Sequence, residues 1–170
     1  MIRFFVAMSI DGYIADREGS EDFLSDEHWG IFARIAGDAG NVVMGRKTYE
    51  RVRDWENSYG FDSLAVDDRV VLTKNTEYNP SVNYRIARSP QEAVDLLQQY
   101  PSVVVAGGSQ VYAAFLNAGL CNEIVVSTEP VVLGGGTPWI SGLANVLRLT
   151  PVATESYPGD IVVTTYRRTG

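Results

Sequence analysis

Two segments of this 170-residue chain end an apolar run at glycine and start a helix at once. One reads "VVVAGGSQVYAAF" (Val103–Phe115), the other "NVVMGRKTYE" (Asn41–Glu50). Ordered glycines cost backbone entropy, so they mark places where the main chain turns sharply or is approached closely. The first turn of a helix presents free N–H groups and partial positive charge, which suit a phosphate. Gly107 and Gly108 carry no Cβ atoms to hold a diphosphate away, and Ser109 adds a hydroxyl; a tight turn explains the same pair without a ligand. Arg46 and Lys47 stand where cations are unfavourable unless an anion compensates. Arg46 offers a planar fork and Lys47 a mobile point charge, while two solvated surface cations are the plain alternative. A third apolar run, "VVLTKN", ends in Thr73 and Lys74. Three such ends favour a nucleotide over a single phosphate ion. No G-x-G-x-x-G occurs, so this is not the common dinucleotide fingerprint.

The elements that must carry these groups follow from periodicity. Short β-branched runs recur as "IRFFVAM", "NVVMG", "RVVLT", "SVVVAG", "EIVVST" and "DIVVTTYRR". Between them lie helical spacings. "SDEHWGIFARIAG" has Ser25 as N-cap, acids in its first turn, and Trp29, Phe32 and Ile35 at three-residue steps. "SPQEAVDLLQQY" has Ser89 as N-cap and Pro90 at the first helical position. "SQVYAAFLNAG" puts Val111, Phe115 and Leu116 on one side and stops at Gly119. Strands alternating with helices imply crossovers and a largely parallel sheet, covered on both faces where the strands are apolar throughout. The last third differs: "LRLTPVATESY" and "DIVVTTYRR", joined by "PGD", predict an antiparallel hairpin at an edge. No repeat or linker divides the chain, and one domain is expected over residues 1–170.

Composition bounds the partners. Apolar residues make up 45% and charged residues 21%, ordinary values for a globular protein. A net charge of −7 argues against a nucleic-acid surface, which needs a basic face. With one cysteine and one histidine, no disulfide framework, cysteine-rich zinc site or deaminase-type zinc motif can be assembled, and no metal is expected. "MIRFFVAMSI" reads as a buried first strand rather than a signal peptide. No run approaches the roughly 18 apolar residues of a membrane helix. A cytoplasmic protein without membrane partners is the expectation.

Four segments together resemble a known family: "MSIDGYIA" (8–15), "VVMGRKTYE" (42–50), "VVVAGGSQVY" (103–112) and "PVVLGGGTPW" (130–139). In that order they are similar to the dihydrofolate reductase-like superfamily. Within it they are closest to the C-terminal reductase domain of bacterial riboflavin biosynthesis proteins (RibD). The resemblance implies a three-layer α/β/α fold, with a mostly parallel sheet of about eight strands and an antiparallel C-terminal hairpin. It implies NADPH bound across the strand ends. Gly45, Arg46, Lys47 and Thr48 would hold cofactor phosphates, and Leu72, Thr73 and Lys74 would lie near the adenosine 2′-phosphate. Ala106, Gly107, Gly108, Ser109, Gln110, Val111 and Tyr112 would cradle the diphosphate and nicotinamide side, with Ala7 and Ile14 flanking the ring. A cis peptide between Gly107 and Gly108 and a homodimer are also implied.

The activity implied is reduction of a small pterin- or pyrimidine-like substrate, on the pattern of 5-amino-6-(5-phosphoribosylamino)uracil reductase. Dihydrofolate reductase activity, or nucleotide binding without turnover, are the alternatives. Asp26 and Glu27 match the region where dihydrofolate reductase keeps its substrate carboxylate; complementing the helix dipole is the simpler role. His28 beside them is a further polar candidate. Asp11, Trp29, Ser127 and Thr128 are candidate substrate contacts. The family's D-G-K reads Asp11-Gly12-Tyr13 here, which removes a cation suited to a sugar phosphate. Gly134, Gly135 and Gly136 fit either a loop closing on ligand or a plain turn. The Tyr166-Arg167-Arg168 tail reads as a solvated strand end.

Overall fold

The computed structural model describes residues 1–53 and 60–169. In chain order the elements are β1 (Ile2–Ser9), β2 (Tyr13–Ala15), α1 (Asp26–Ala39), β3 (Asn41–Gly45), α2 (Arg46–Arg53), β4 (Asp68–Leu72) and β5 (Arg85–Ala87). They continue with α3 (Pro90–Leu96), β6 (Val103–Val105), α4 (Ser109–Asn117), β7 (Glu123–Glu129), β8 (Thr137–Pro138), β9 (Leu149–Tyr157) and β10 (Ile161–Arg168). Eight strands form one sheet in the order β5-β4-β3-β6-β1-β7-β10-β9. The first six are mutually parallel; β10 runs antiparallel to both β7 and β9. This is the α/β sandwich with a C-terminal hairpin that the sequence predicts.

Period-two alternation builds the two cores. Phe4 enters one with Val6, Val43, Val105 and Phe115, while Phe5 enters the other with Phe32, Val42, Met44 and Val104. Both faces of the central strands are therefore apolar and covered, as in parallel sheets generally. Helix α1 ends on Gly40 at φ 72°, whose N–H closes on Ala36 and Gly37 carbonyls. Ser89 caps α3 as predicted, accepting from the Glu92 N–H at 3.1 Å. The side chain of fully buried Asn41 donates to the Ala39 and Ser102 carbonyls and accepts from Val104 N–H, locking the start of β3 to β6.

Three short strands lie outside the predicted set. β5 is three residues long, and β2 with β8 forms a separate two-stranded ladder joining Tyr13 to Pro138 and Ala15 to Thr137. Ladders of two or three residues show no periodicity to read. Ser25 also differs from expectation. It stands at the N-cap of α1 but makes no capping bond; its hydroxyl and N–H both donate to the Glu129 carboxylate, a stronger acceptor. At the far end of the sheet Arg167 is not merely solvated: with Arg3 it pairs with buried Glu123, at 3.2 and 2.6 Å.

Candidate functional site at the carboxyl edge of the sheet

The carboxyl ends of β1, β3, β4 and β6 lie side by side along one sheet edge. Two of these strands run directly into helices. β3 stops at Gly45 and α2 begins at Arg46; β6 stops at Val105 and α4 begins at Ser109. The two junctions are bonded together, for Gly45 N–H donates to the Gly107 carbonyl at 2.7 Å and Ala106 N–H to Val43 at 2.8 Å.

Each glycine here is closely approached by its neighbours. A Cβ at Gly45 would fall 2.7 Å from Val111 Cγ2. At Gly107, where φ is 106°, it would meet the Tyr112 hydroxyl at 3.2 Å; at Gly108 it would meet Thr48 Oγ1 at 3.2 Å. The Gly107–Gly108 peptide is cis. The Gly108 carbonyl closes the first turn of α4 by accepting from Val111 and Tyr112. Among the described residues, no hydrogen bond takes up the N–H groups of Gly108, Ser109 and Gln110. Three donors at one helix start, beside bare glycine, form a ready anion cradle.

Next to this cradle opens a cavity of about 950 Å³. Ala7, Ile14, Thr48, Ala106, Gly107, Gly108 and Tyr112 form its sheet side. Trp29, Phe32 and Phe61 form an aromatic wall, with ring centroids 5.4 to 6.4 Å apart. Loop residues Glu18 to Asp22, together with Arg51 from α2, close the remaining side. The loop is held by Asp16, whose carboxylate accepts from Glu18 N–H and Ser20 N–H. Of the two first-turn acids, Asp26 lines the cavity and is exposed, whereas Glu27 does not line it.

The adenosine-side candidates lie apart from this cavity. Arg46 packs over the Tyr78 ring at 5.7 Å with its guanidinium 3.7 Å from Glu50, and Lys47 is exposed. Leu72 is in register with both Gly45 and Ala87. Thr73 is buried, and its hydroxyl accepts from Asn75 N–H, while Lys74 is exposed. Arg88, which nothing in the sequence singled out, donates to the Thr73, Asn75 and Thr76 carbonyls and so holds this loop.

The remaining candidates have other partners. Asp11 accepts from Ser9 Oγ and from the Leu133 and Gly134 N–H groups, which ties the β1–β2 turn to the triple-glycine loop. That loop folds onto β2 and Arg17 rather than onto the cavity: a Cβ at Gly136 would sit 2.1 Å from the Ala15 carbonyl oxygen. Ser127 is fully buried and bonded to His28 Nδ1 at 2.7 Å; Thr128 pairs with Met8 and Val162 within the sheet.

His28 forms the floor where α1 meets β7. Its Nε2 lies 2.8 Å from Glu129 Oε2, the oxygen that also accepts both Ser25 donors. Burial lowers the His28 pKa, outweighing the Glu129 hydrogen bond and charge that raise it, so the ring is held neutral. Burial works to raise the Glu129 carboxyl, but donors from Ser25 and His28 outweigh it and hold the group ionised. With Glu129 as acceptor, Nε2 carries the proton and Ser127 donates to Nδ1. Tyr112 donates to the Phe5 carbonyl, and burial pushes its phenol well up. Glu21 is the residue that sequence reasoning missed. Burial raises its carboxyl to about 7, with Arg51 opposing and Asp22 adding to the shift. A loop glutamate has no periodicity to mark it, and its environment arises only on folding.

A crossover sheet with these glycine junctions and a cavity beside them defines an α/β protein of the dihydrofolate reductase-like fold. The chain belongs to the RibD C-terminal domain family, which it matches over residues 1–163. It is 28% identical over 163 residues to the uncharacterized protein YwjB of Bacillus subtilis strain 168, covering 90% of each chain. It superposes with a TM-score of 0.78 and 25% identity on a Shewanella sp. PV-4 protein assigned to riboflavin biosynthesis, covering 99% of both. A dihydrofolate reductase from Enterococcus faecalis, solved in complex with NADP(H), shares the fold at a TM-score of 0.74 and 19% identity, covering 100% of this chain and 97% of that one.

Proposed function

We propose that the protein is an NADPH-dependent reductase of a small, flat pterin- or pyrimidine-like substrate, with 5-amino-6-(5-phosphoribosylamino)uracil as the first compound to test. The observation that carries this reading is the run of unpaired N–H groups at Gly108, Ser109 and Gln110, beside Gly45 and Thr48, with Gly108 itself lining the aromatic-walled cavity. These residues fit a dinucleotide. The cradle accepts a diphosphate; Arg46, Lys47, Leu72, Thr73 and Lys74 lie on adjacent strand ends for the adenosine end; Ala7 and Ile14 form the floor for the nicotinamide.

NADPH supplies a hydride when bound, and the protein supplies orientation and exclusion of water. Trp29, Phe32 and Phe61 offer a stacking wall for a planar ring, and Asp26 offers a carboxylate at the cavity mouth. The protein acts as a homodimer in this reading. Exposed apolar side chains on the hairpin support that part, with Val152 46% exposed and Val162 39% exposed.

The test is a fluorescence titration with NADPH, followed by absorbance at 340 nm with pyrimidine riboside phosphates, pterins and quinones. Wild type is expected to bind and to oxidise NADPH on one class. Gly108→Val is expected to weaken NADPH binding at least about tenfold, or about 1.4 kcal/mol. Unchanged affinity in that variant would sink the phosphate assignment. Methotrexate-sensitive turnover of dihydrofolate would redirect the substrate assignment.

A further inference from the structure

We propose that Glu21 is the acid that delivers a proton to the substrate as it is reduced. This rests on the reductase reading above and adds to it the proton source, which cofactor chemistry does not provide.

The geometry selects Glu21 by what the cavity's other acids, its histidine and its tyrosine are already doing. His28 has both ring nitrogens engaged, with Ser127 and Glu129. Tyr112 donates its only proton to the Phe5 carbonyl. Ser25 donates both of its protons to Glu129. Glu18, Asp22 and Asp26 are exposed. Glu21 is half-buried in the wall of the same cavity as Ala7, Ile14 and Gly108, and among the described residues its carboxyl has no hydrogen-bond partner. A carboxyl so placed has a free O–H to give.

Charges around it come from each neighbouring element: Arg51 from α2, Asp22 and Glu18 from its own loop, Asp26 and His28 from α1, and the Tyr112 phenol from α4. Burial outweighs the Arg51 charge and raises the carboxyl to about 7, where an acid is both protonated and willing to donate near neutral pH.

The step balances for a C=N substrate. The carbon gains a hydride, and with it two electrons, from the reduced nicotinamide. The π pair of the C=N bond takes the proton of Glu21 and forms N–H. Oxidised nicotinamide and the Glu21 carboxylate remain, and the carboxylate recovers a proton from solvent at the cavity mouth.

Two measurements test this. In the protein without cofactor, carboxyl carbon NMR is expected to show Glu21 titrating near pH 7; a midpoint near 4.5 overturns the proposal. Glu21→Gln is expected to keep NADPH affinity within about twofold. Its kcat should fall by roughly 10²–10⁴ and lose the ionisation seen in the wild-type pH profile. A variant whose kcat stays within twofold, or whose pH profile keeps that ionisation, overturns the Glu21 role and leaves the reductase reading standing. A wild type that does not bind NADPH, or binds it and reduces no compound in the screen, overturns the reductase reading and the Glu21 role with it.

Discussion

Two residues facing one cavity, His28 and Glu21, respond to burial in opposite directions. The neutral form of His28 is favoured in the fold, so below its ordinary value of 6.5 the unfolded chain takes up a proton that the folded chain does not. The stability this contributes is fully present above about pH 6.5 and is lost as pH falls. Glu21 is raised from 4.5 to about 7, so the folded chain holds a proton that the unfolded chain has released. Its contribution favours folding at low pH and is lost as pH rises through about 7. In wild type the two slopes oppose each other below about pH 6.5, where both groups contribute. Glu21→Gln removes one of them. Urea denaturation of that variant is expected to show stability falling from pH 7 to 5.5, by no more than about 1.4 kcal/mol per pH unit. A flat profile in the variant would mean that His28 is not held neutral.

Among the elements, the loop after β4 shows how one side chain from a neighbouring segment can fix the shape of a loop. Arg88 gathers three carbonyls of residues 73–76 with one guanidinium, a fork that lysine cannot reproduce. In the NADPH reading this loop meets the 2′-phosphate. Arg88→Ala is therefore expected to lower NADPH affinity by about three- to tenfold and to leave NADH affinity nearly unchanged, as measured by parallel fluorescence titrations. Equal loss for both cofactors would place the loop elsewhere. The loop ends Thr73 and Lys74 were legible because they directly follow an apolar run. Arg88 was not, since its three acceptors are main-chain groups that converge only when β4 and β5 pair. The same limit hid Asp11's role: its Leu133 and Gly134 partners lie over 120 residues away.

The whole molecule is a sheet that ends in the three-residue β5 on one side and the nine-residue β9 on the other. β9 is the terminal strand, exposed along most of its length; Thr154, Ser156 and Val162 share the outward face of the hairpin, and Val152 is exposed at the register shift beside them. Long exposed edges and apolar faces invite pairing, though Pro151 limits simple strand addition. Sedimentation velocity is expected to show a dimer, and Val152→Asp with Val162→Asp a monomer of unchanged secondary structure. A monomeric wild type would remove the dimer from the proposed function. No helix among the described residues is long and apolar enough to cross a membrane.

Local pattern was enough to determine the alternation of strands and helices, the two apolar cores and the glycine junctions at residues 45 and 107–108, because each depends on residues within a few positions of one another. Tertiary structure alone decided what the polar side chains do. It joined Ser25, His28, Ser127 and Glu129 into one hydrogen-bonded network, turned Asp11 toward a loop, and set Glu21 in a cavity wall. Hydrogen-bond partners and local dielectric are properties of the assembled space, and no spacing along the chain encodes them.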